Sequence, residues 1–265
     1  MAKAKSVVKS PVKKSAKVAA ARMTLAETMR ELEKAGSAQT RKTYLRHGAT
    51  EPMFGVSFAT LKVLTKRIRI DQELAEALWE TKNFDARNLA VKIADPAGIS
   101  SKELDRWAAT PTARMCGGYV AHLTAESPHA RAKADKWLAA KDEPTRFAAW
   151  SLVAAMAMID EGVEESWFIE RLAEIEKGIH SSPNGQKYAM NAALIAIGCR
   201  GMGLRKAATA AAKRIGVVEV DHGDTDCKTP VAAESIEKAW GHAKAKGFTS
   251  PAEQERGRES MRTRC

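Results

Sequence analysis

Cysteine is scarce in this chain. Its four residues, Cys116, Cys199, Cys227 and Cys265, are spread too widely over 265 positions for a disulfide framework, and no CxxC pair offers a zinc or redox motif. Reduced thiols point to a bacterial cytoplasmic setting, with association with the nucleoid expected. No segment approaches the roughly 18 consecutive apolar residues of a membrane span. The first 22 residues contain no acid, lack the continuous apolar core of a signal peptide, and hold one arginine where transit peptides favour several. Strand patterning is also missing: only VVEV at 217–220 looks extended, and it reads as a connector.

What is present is positive charge, unevenly placed. Lysine and arginine number 43 against 32 acids, a net charge of +11. Residues 1–22 contribute +7, Lys13 and Lys14 among them, and the other 243 residues contribute +4. Such a balance favours a polyanionic partner, nucleic acid before membrane. The lysine-rich tail, with no apolar periodicity, is expected to be disordered. It either adds salt-sensitive affinity for DNA or simply solubilises the chain.

From residue 24 onward, helix signals follow one another. Thr24, Ser57, Asp71 and Ser100 stand where N-caps are needed, and Asp95-Pro96 marks a stop. Ala86, Leu89, Ala90 and Ile93 make one apolar stripe at i, i+3, i+4 and i+7. The segments come in pairs with short breaks, and pairs begin near 71, 101, 128 and 165. That spacing predicts an all-α solenoid of stacked helical hairpins, a degenerate repeat because no sequence self-similarity accompanies it. The expected organisation is a tail at 1–22, a helical solenoid over 23–248 and a frayed polar C-terminal tail over 249–265.

In such an array the second helix of each pair lines a common face. Arg87 and Lys92, Arg114, Arg146, Lys187, and Lys213 with Arg214 fall on those helices, and make either a groove that tracks a phosphate backbone or ordinary solvated charges. Arg146 and Trp150 share a face of a very apolar segment, so the arginine either snorkels or meets a phosphate. Trp150 is a core residue or a stacking platform. Lys187 and Asn191 repeat the i, i+4 spacing one hairpin later, with Tyr188 beside them. The segment VEVDHGDTDCKTP concentrates Asp221, His222, Asp224, Asp226 and Cys227, but in no standard ligand spacing. It reads as a folded loop, with Gly223 turning, Thr229 capping and Pro230 opening the next helix. Neither a metal nor a cofactor is called for.

The order RKTYLRHG, FGVSFATLKVL, ALWETKNFDARNLAVKIADP, TRFAAWSLVAA, YAMNAALIAIG and VEVDHGDTDCKTP resembles the DNA alkylation repair family, the HEAT-like alkylpurine DNA glycosylases and their relatives. The likeness runs over roughly residues 25–240. It implies a HEAT-like α-solenoid holding duplex DNA, alkylated in the substrate of active members, in a basic concave face, and a monomer. Active members release cationic alkylated purines with an aspartate, an arginine and two tryptophans. By this resemblance Arg146 occupies the arginine position, and Asn191 replaces the second tryptophan. Residues 106–125, where the aspartate belongs, contain no acid. The resemblance therefore implies a DNA-binding protein with weak or lost glycosylase activity. The alternatives are an active enzyme with a displaced carboxylate, for which Asp85 is the candidate, and a non-enzymatic protein-interaction scaffold.

Overall fold

The computed structural model describes residues 22–264. Its helices are α1 (Leu25–Ala35), α2 (Ala38–Arg46), α3 (Phe58–Ile68), α4 (Gln72–Glu80), α5 (Phe84–Ile93), α6 (Ser101–Ala108), α7 (Arg114–Ala125), α8 (Ala130–Leu138), α9 (Glu143–Ile159), α10 (Glu165–Gly178), α11 (Asn184–Arg200), α12 (Met202–Ile215), α13 (Ala232–Ala245), α14 (Pro251–Arg256) and α15 (Met261–Arg264). A single 3₁₀ turn, Ile179–Ser181, joins α10 to α11. Among the described residues the only strand-like pairing is one bridge between Gly36 and Val56, and no helix is long and apolar enough to cross a membrane.

Local chemistry sets most boundaries. The side chains of Thr24, Ser57, Asp71 and Ser100 each accept from a backbone N–H in the first turn of α1, α3, α4 and α6, and Thr24 with Glu27 forms a full capping box. One start differs from the sequence reading: α13 begins at Ala232 with no side-chain cap, so Thr229 and Pro230 stay in the preceding loop. Thr229 is held elsewhere, by the His222 ring.

The hairpins are α4–α5, α6–α7, α8–α9 and α10–α11. Their second helices α5, α7, α9 and α11 pack side by side, and α9 against α11 is the most extensive contact in the molecule. The core lies between the two helix layers. Trp79, Trp107, Trp137 and Trp150 are all fully buried in it, the first two stacked with centroids 4.3 Å apart. Because the hairpins are stacked in one sense, the starts of the second helices gather on one edge and their ends on the other.

The edge where the second helices end is rich in carbonyls that lack a helical partner, and arginines satisfy them. Arg200 donates to the Ala157 and Val163 carbonyls near the end of α9. Arg262 donates to the Val91 and Lys92 carbonyls at the end of α5 (3.0 and 2.7 Å) and pairs with Glu126 beyond α7. The C-terminal segment, expected to fray, is therefore docked. Ala252 and Arg262 are buried, α14 packs on α9 and α11, and α15 lies against α3, α5 and α7. Polar composition hid this because its anchors are cations placed against helix C-termini and acids, an arrangement the helix dipole favours. Lys92, expected on an open face, is buried under this segment. Its ammonium sits 4.1 Å from the Tyr119 ring centroid and donates to the Arg262 carbonyl.

Candidate nucleic-acid interface

The opposite edge, where the second helices begin, is open. A cleft of about 960 Å³ lies there, bounded by the first residues of α5, α7, α9 and α11, the end of α2 and the loop over 216–231. Helix starts present backbone N–H groups with no intrahelical partner and carry partial positive charge. At α7 and α11 no side chain caps them, because Ala113 and Pro183 occupy the cap positions. At α9 the Asp142 carboxylate accepts from the Thr145 N–H (2.9 Å). Exposed cations stand around the cleft: Arg46 at the end of α2 and Lys228 on the loop, with half-buried Arg114 at the start of α7. Deeper in, Tyr44, Phe84 and Phe147 form an apolar floor.

The loop is fixed in place as a wall. The Asn184 side chain donates to the Asp221 carbonyl and accepts from the Asp221 N–H, both at 2.7 Å. The Arg114 guanidinium donates to the same carbonyl (3.1 Å) and lies 5.1 Å from the centroid of the Tyr188 ring. His222 meets Tyr188 edge-on at 6.4 Å, and its Nε2 is 3.0 Å from the Thr229 hydroxyl. Gly223 makes the turn with φ +58°, in the left-handed region that suits glycine. The Asp221 carboxylate accepts from the Gly223 N–H (2.8 Å), so its chemistry is that of a turn.

The floor is also built locally. Asp85, in the first turn of α5, is fully buried. Its two carboxylate oxygens accept from the Phe54, Gly55 and Val56 N–H groups at 2.6, 3.0 and 2.9 Å. The Val56 carbonyl accepts in turn from the Tyr44 hydroxyl (2.7 Å), whose pKa burial pushes up to about 12. Gly117 is explained by packing: a Cβ there would stand 3.1 Å from the Phe147 ring. Gly118 has open space around it, and nothing in the structure explains it.

A family model described as "DNA alkylation repair enzyme" matches residues 28–215. The chain belongs to that family. Among relatives of this DNA alkylation repair family member, an uncharacterised protein of Listeria innocua, Lin0241, is 27% identical over 215 residues, covering 79% of this chain and 94% of the relative. Another from Listeria monocytogenes, Lmo0209, is 26% identical over 220 residues, covering 81% and 96%. A solved structure reported as "a new family of proteins related to the HEAT-like repeat DNA glycosylases with affinity for branched DNA structures" is 36% identical, covers 86% of this chain and 97% of its own, and superposes with a TM-score of 0.77. The all-helical hairpin stack is thus a HEAT-like fold, as the sequence predicted.

The residues that the family resemblance singles out do not converge. Arg146 and Trp150 turn away from the cleft, into a smaller hollow of about 610 Å³ between α8, α9, α10 and α11. Arg146 is half-buried and donates to the Leu138 carbonyl (2.7 Å) and the Gln186 side chain (3.2 Å), tying α8 and α11 to α9. Trp150 is fully buried, which makes it a core residue and no stacking platform. Asn191 is buried too, and its amide donates to the Pro230 carbonyl, holding the end of the loop. As a displaced catalytic acid Asp85 fails, because both its oxygens are consumed by backbone donors away from solvent. The acids that line the cleft are Glu143 and Asp221.

Of the other residues singled out, Arg114 and exposed Tyr188 line the cleft, whereas Lys187, in the first turn of α11, does not. Arg87 covers the Trp79 ring (5.1 Å to the centroid) and donates to the Trp79 carbonyl. Arg214 is paired with Glu176 and, like Lys213, sits in the last turn of α12, apart from the cleft. Lys13 and Lys14 lie outside the described residues. Sequence reading missed Arg46, Asn184 and Lys228. Asn184 carried a usable signal, since an Asn directly after a helix-opening Pro is well placed to bind a neighbouring loop.

Cys116 and Cys199 are buried free thiols whose pKa values burial raises to about 12 and 11, so neither is a nucleophile at neutral pH.

Proposed function

We propose that this chain is a DNA-binding member of the family that holds the phosphate backbone, of duplex and of branched DNA alike, along the edge where the second helices begin, and that it leaves the glycosidic bond uncut. The observation that carries the reading is the convergence of four helix starts on one cleft, two of them, α7 and α11, without a side-chain cap. Helix starts bind phosphate through free N–H groups and dipole. The charge on the two edges supports it. The turns inside the hairpins bear Lys82 and Lys141 with one acid, Asp142, whereas those between hairpins bear Asp95, Glu126, Asp160, Glu161 and Glu164 and no lysine or arginine. The affinity of the 36%-identical relative for branched DNA supports it as well. Weak or lost excision follows from the absence of any acid at 106–125 and from the burial of Asp85.

The test is binding to duplex and junction DNA by fluorescence anisotropy over a range of salt. Arg114→Glu with Lys228→Glu should weaken binding roughly tenfold or more and flatten the salt slope by about two phosphate contacts. Arg69→Glu, on the far edge, should change neither. Equal losses from both edges, or none from the cleft, would refute the placement. A second reading, excision with a displaced carboxylate, has Glu143 in its favour: it is exposed at the cleft in the first turn of α9. Base release abolished by Glu143→Gln would establish it. The scaffold reading requires that no DNA bind at low salt.

A further inference from the structure

The cleft is larger and more apolar than a backbone track requires. A groove that only follows phosphates needs a cationic rim and nothing beneath it. Here the rim overlies Tyr44, Phe84 and Phe147, and the open cleft, about 960 Å³, exceeds what a phosphate fills. Tyr188 adds a second observation. It is 37% exposed, so it serves no core, yet its ring is contacted by the Arg114 guanidinium at 5.1 Å and by the edge-on His222 ring at 6.4 Å. An exposed aromatic paired with an arginine is the kind of platform on which an unstacked base settles. The Asn184–Asp221 pair fixes the wall beside it, so little ordering is left to be done on binding. That wall, residues 216–231, follows the family match, which ends at residue 215.

We infer that the cleft takes one unpaired nucleotide from a DNA branch point, its base against the Arg114–Tyr188 pair and the apolar floor, its phosphate at the uncapped start of α7. The inference rests on the DNA-binding reading and adds which part of the DNA enters the cleft. A paired base keeps both faces in the stack and cannot reach this floor. A nucleotide at a branch is already partly unstacked, so seating it costs less than extrusion from a duplex. Discrimination between branched and plain duplex DNA then arises at Tyr188, while the cations of the edge serve both.

The test uses the full-length protein with a three-way junction carrying one unpaired 2-aminopurine at the branch, and a fully paired duplex carrying the same reporter. Saturating protein is expected to quench the junction reporter and shield it from acrylamide, with no change in the duplex reporter. Tyr188→Ala should lower junction affinity roughly tenfold and abolish the quenching, with duplex affinity held within about twofold; Tyr188→Trp should restore both. A bound junction whose reporter is unchanged would overturn the inference and leave the DNA-binding reading intact, as would equal losses for junction and duplex in Tyr188→Ala. Absence of binding to either DNA at low salt would remove the DNA-binding reading, and the inference with it.

Discussion

Replacing Asp85 by asparagine separates its two assigned roles. In the native structure one carboxylate oxygen accepts from Phe54 and Gly55 and the other from Val56, all without access to water. Asparagine keeps one acceptor oxygen and turns an NH₂ toward the remaining backbone donor, so at least one charge-assisted bond is lost and two donors face each other. A hydrogen bond to a charged group contributes about 1.5–3 kcal/mol, and a buried unsatisfied donor costs a comparable amount. The expected destabilisation is about 3 kcal/mol, a large part of the roughly 5–15 kcal/mol available to a domain. With a urea m-value of roughly 2–3 kcal/mol/M, the unfolding midpoint should fall by about 1 M. Asp85→Ala should fall further, since all three donors are orphaned. DNA affinity measured below the unfolding transition should stay near that of the parent protein. An Asp85→Asn protein as stable as the parent but unable to act on or bind DNA would refute the structural role.

Three further outcomes follow from buried charge. Burial holds the His122 pKa at about 4 against an ordinary 6.5, so between these values the unfolded chain binds a proton that the native one refuses. Stability should fall by up to about 3 kcal/mol as pH drops from 6.5 to 4, and His122→Gln should flatten that slope in urea titrations at stepped pH. Asp105 is penalised by burial, yet bonds from Lys133, Lys136 and Trp137 outweigh that and bring its pKa to about 2. Asp105→Asn, which leaves buried Lys133 without its counter-charge 2.7 Å away, should cost about 2–3 kcal/mol, whereas a change under 0.5 kcal/mol would show the pair to be idle. Arg262→Ala should release the C-terminal segment, read as faster amide exchange across residues 249–264 and a loss of about 2–4 kcal/mol from the orphaned Glu126 and two carbonyls. Unchanged exchange would show the segment to be held by its other contacts, those of α14, Ser260 and the Lys62 and Lys92 ammonium groups.

The architecture was largely legible in the sequence, because capping residues and apolar stripes act locally and short breaks force antiparallel neighbours. Thr24, Ser57, Asp71 and Ser100 cap the helices they were expected to cap. What was not legible depends on distant partners. Arg146, Trp150 and Asn191 sit on the right helices, but which way each side chain turns is decided by the packing of α8, α10 and α13 around them. Spacing along one helix does not carry that. The burial of Asp85 depends on backbone donors some thirty residues away. The docking of Arg262 depends on the carbonyls at the end of α5. The reading of VEVDHGDTDCKTP as a loop turned at Gly223 was sound, while its fastening by Asn184 and Arg114 joins residues 37 and 107 positions apart.

The most direct test of the account is to titrate the protein against methylated duplex DNA, measuring binding and the release of 3-methyladenine and 7-methylguanine in the same samples. The account predicts saturable, salt-sensitive binding with release no faster than the uncatalysed rate. Release above that rate, abolished by Glu143→Gln, would contradict it and make this chain a glycosylase with a relocated carboxylate.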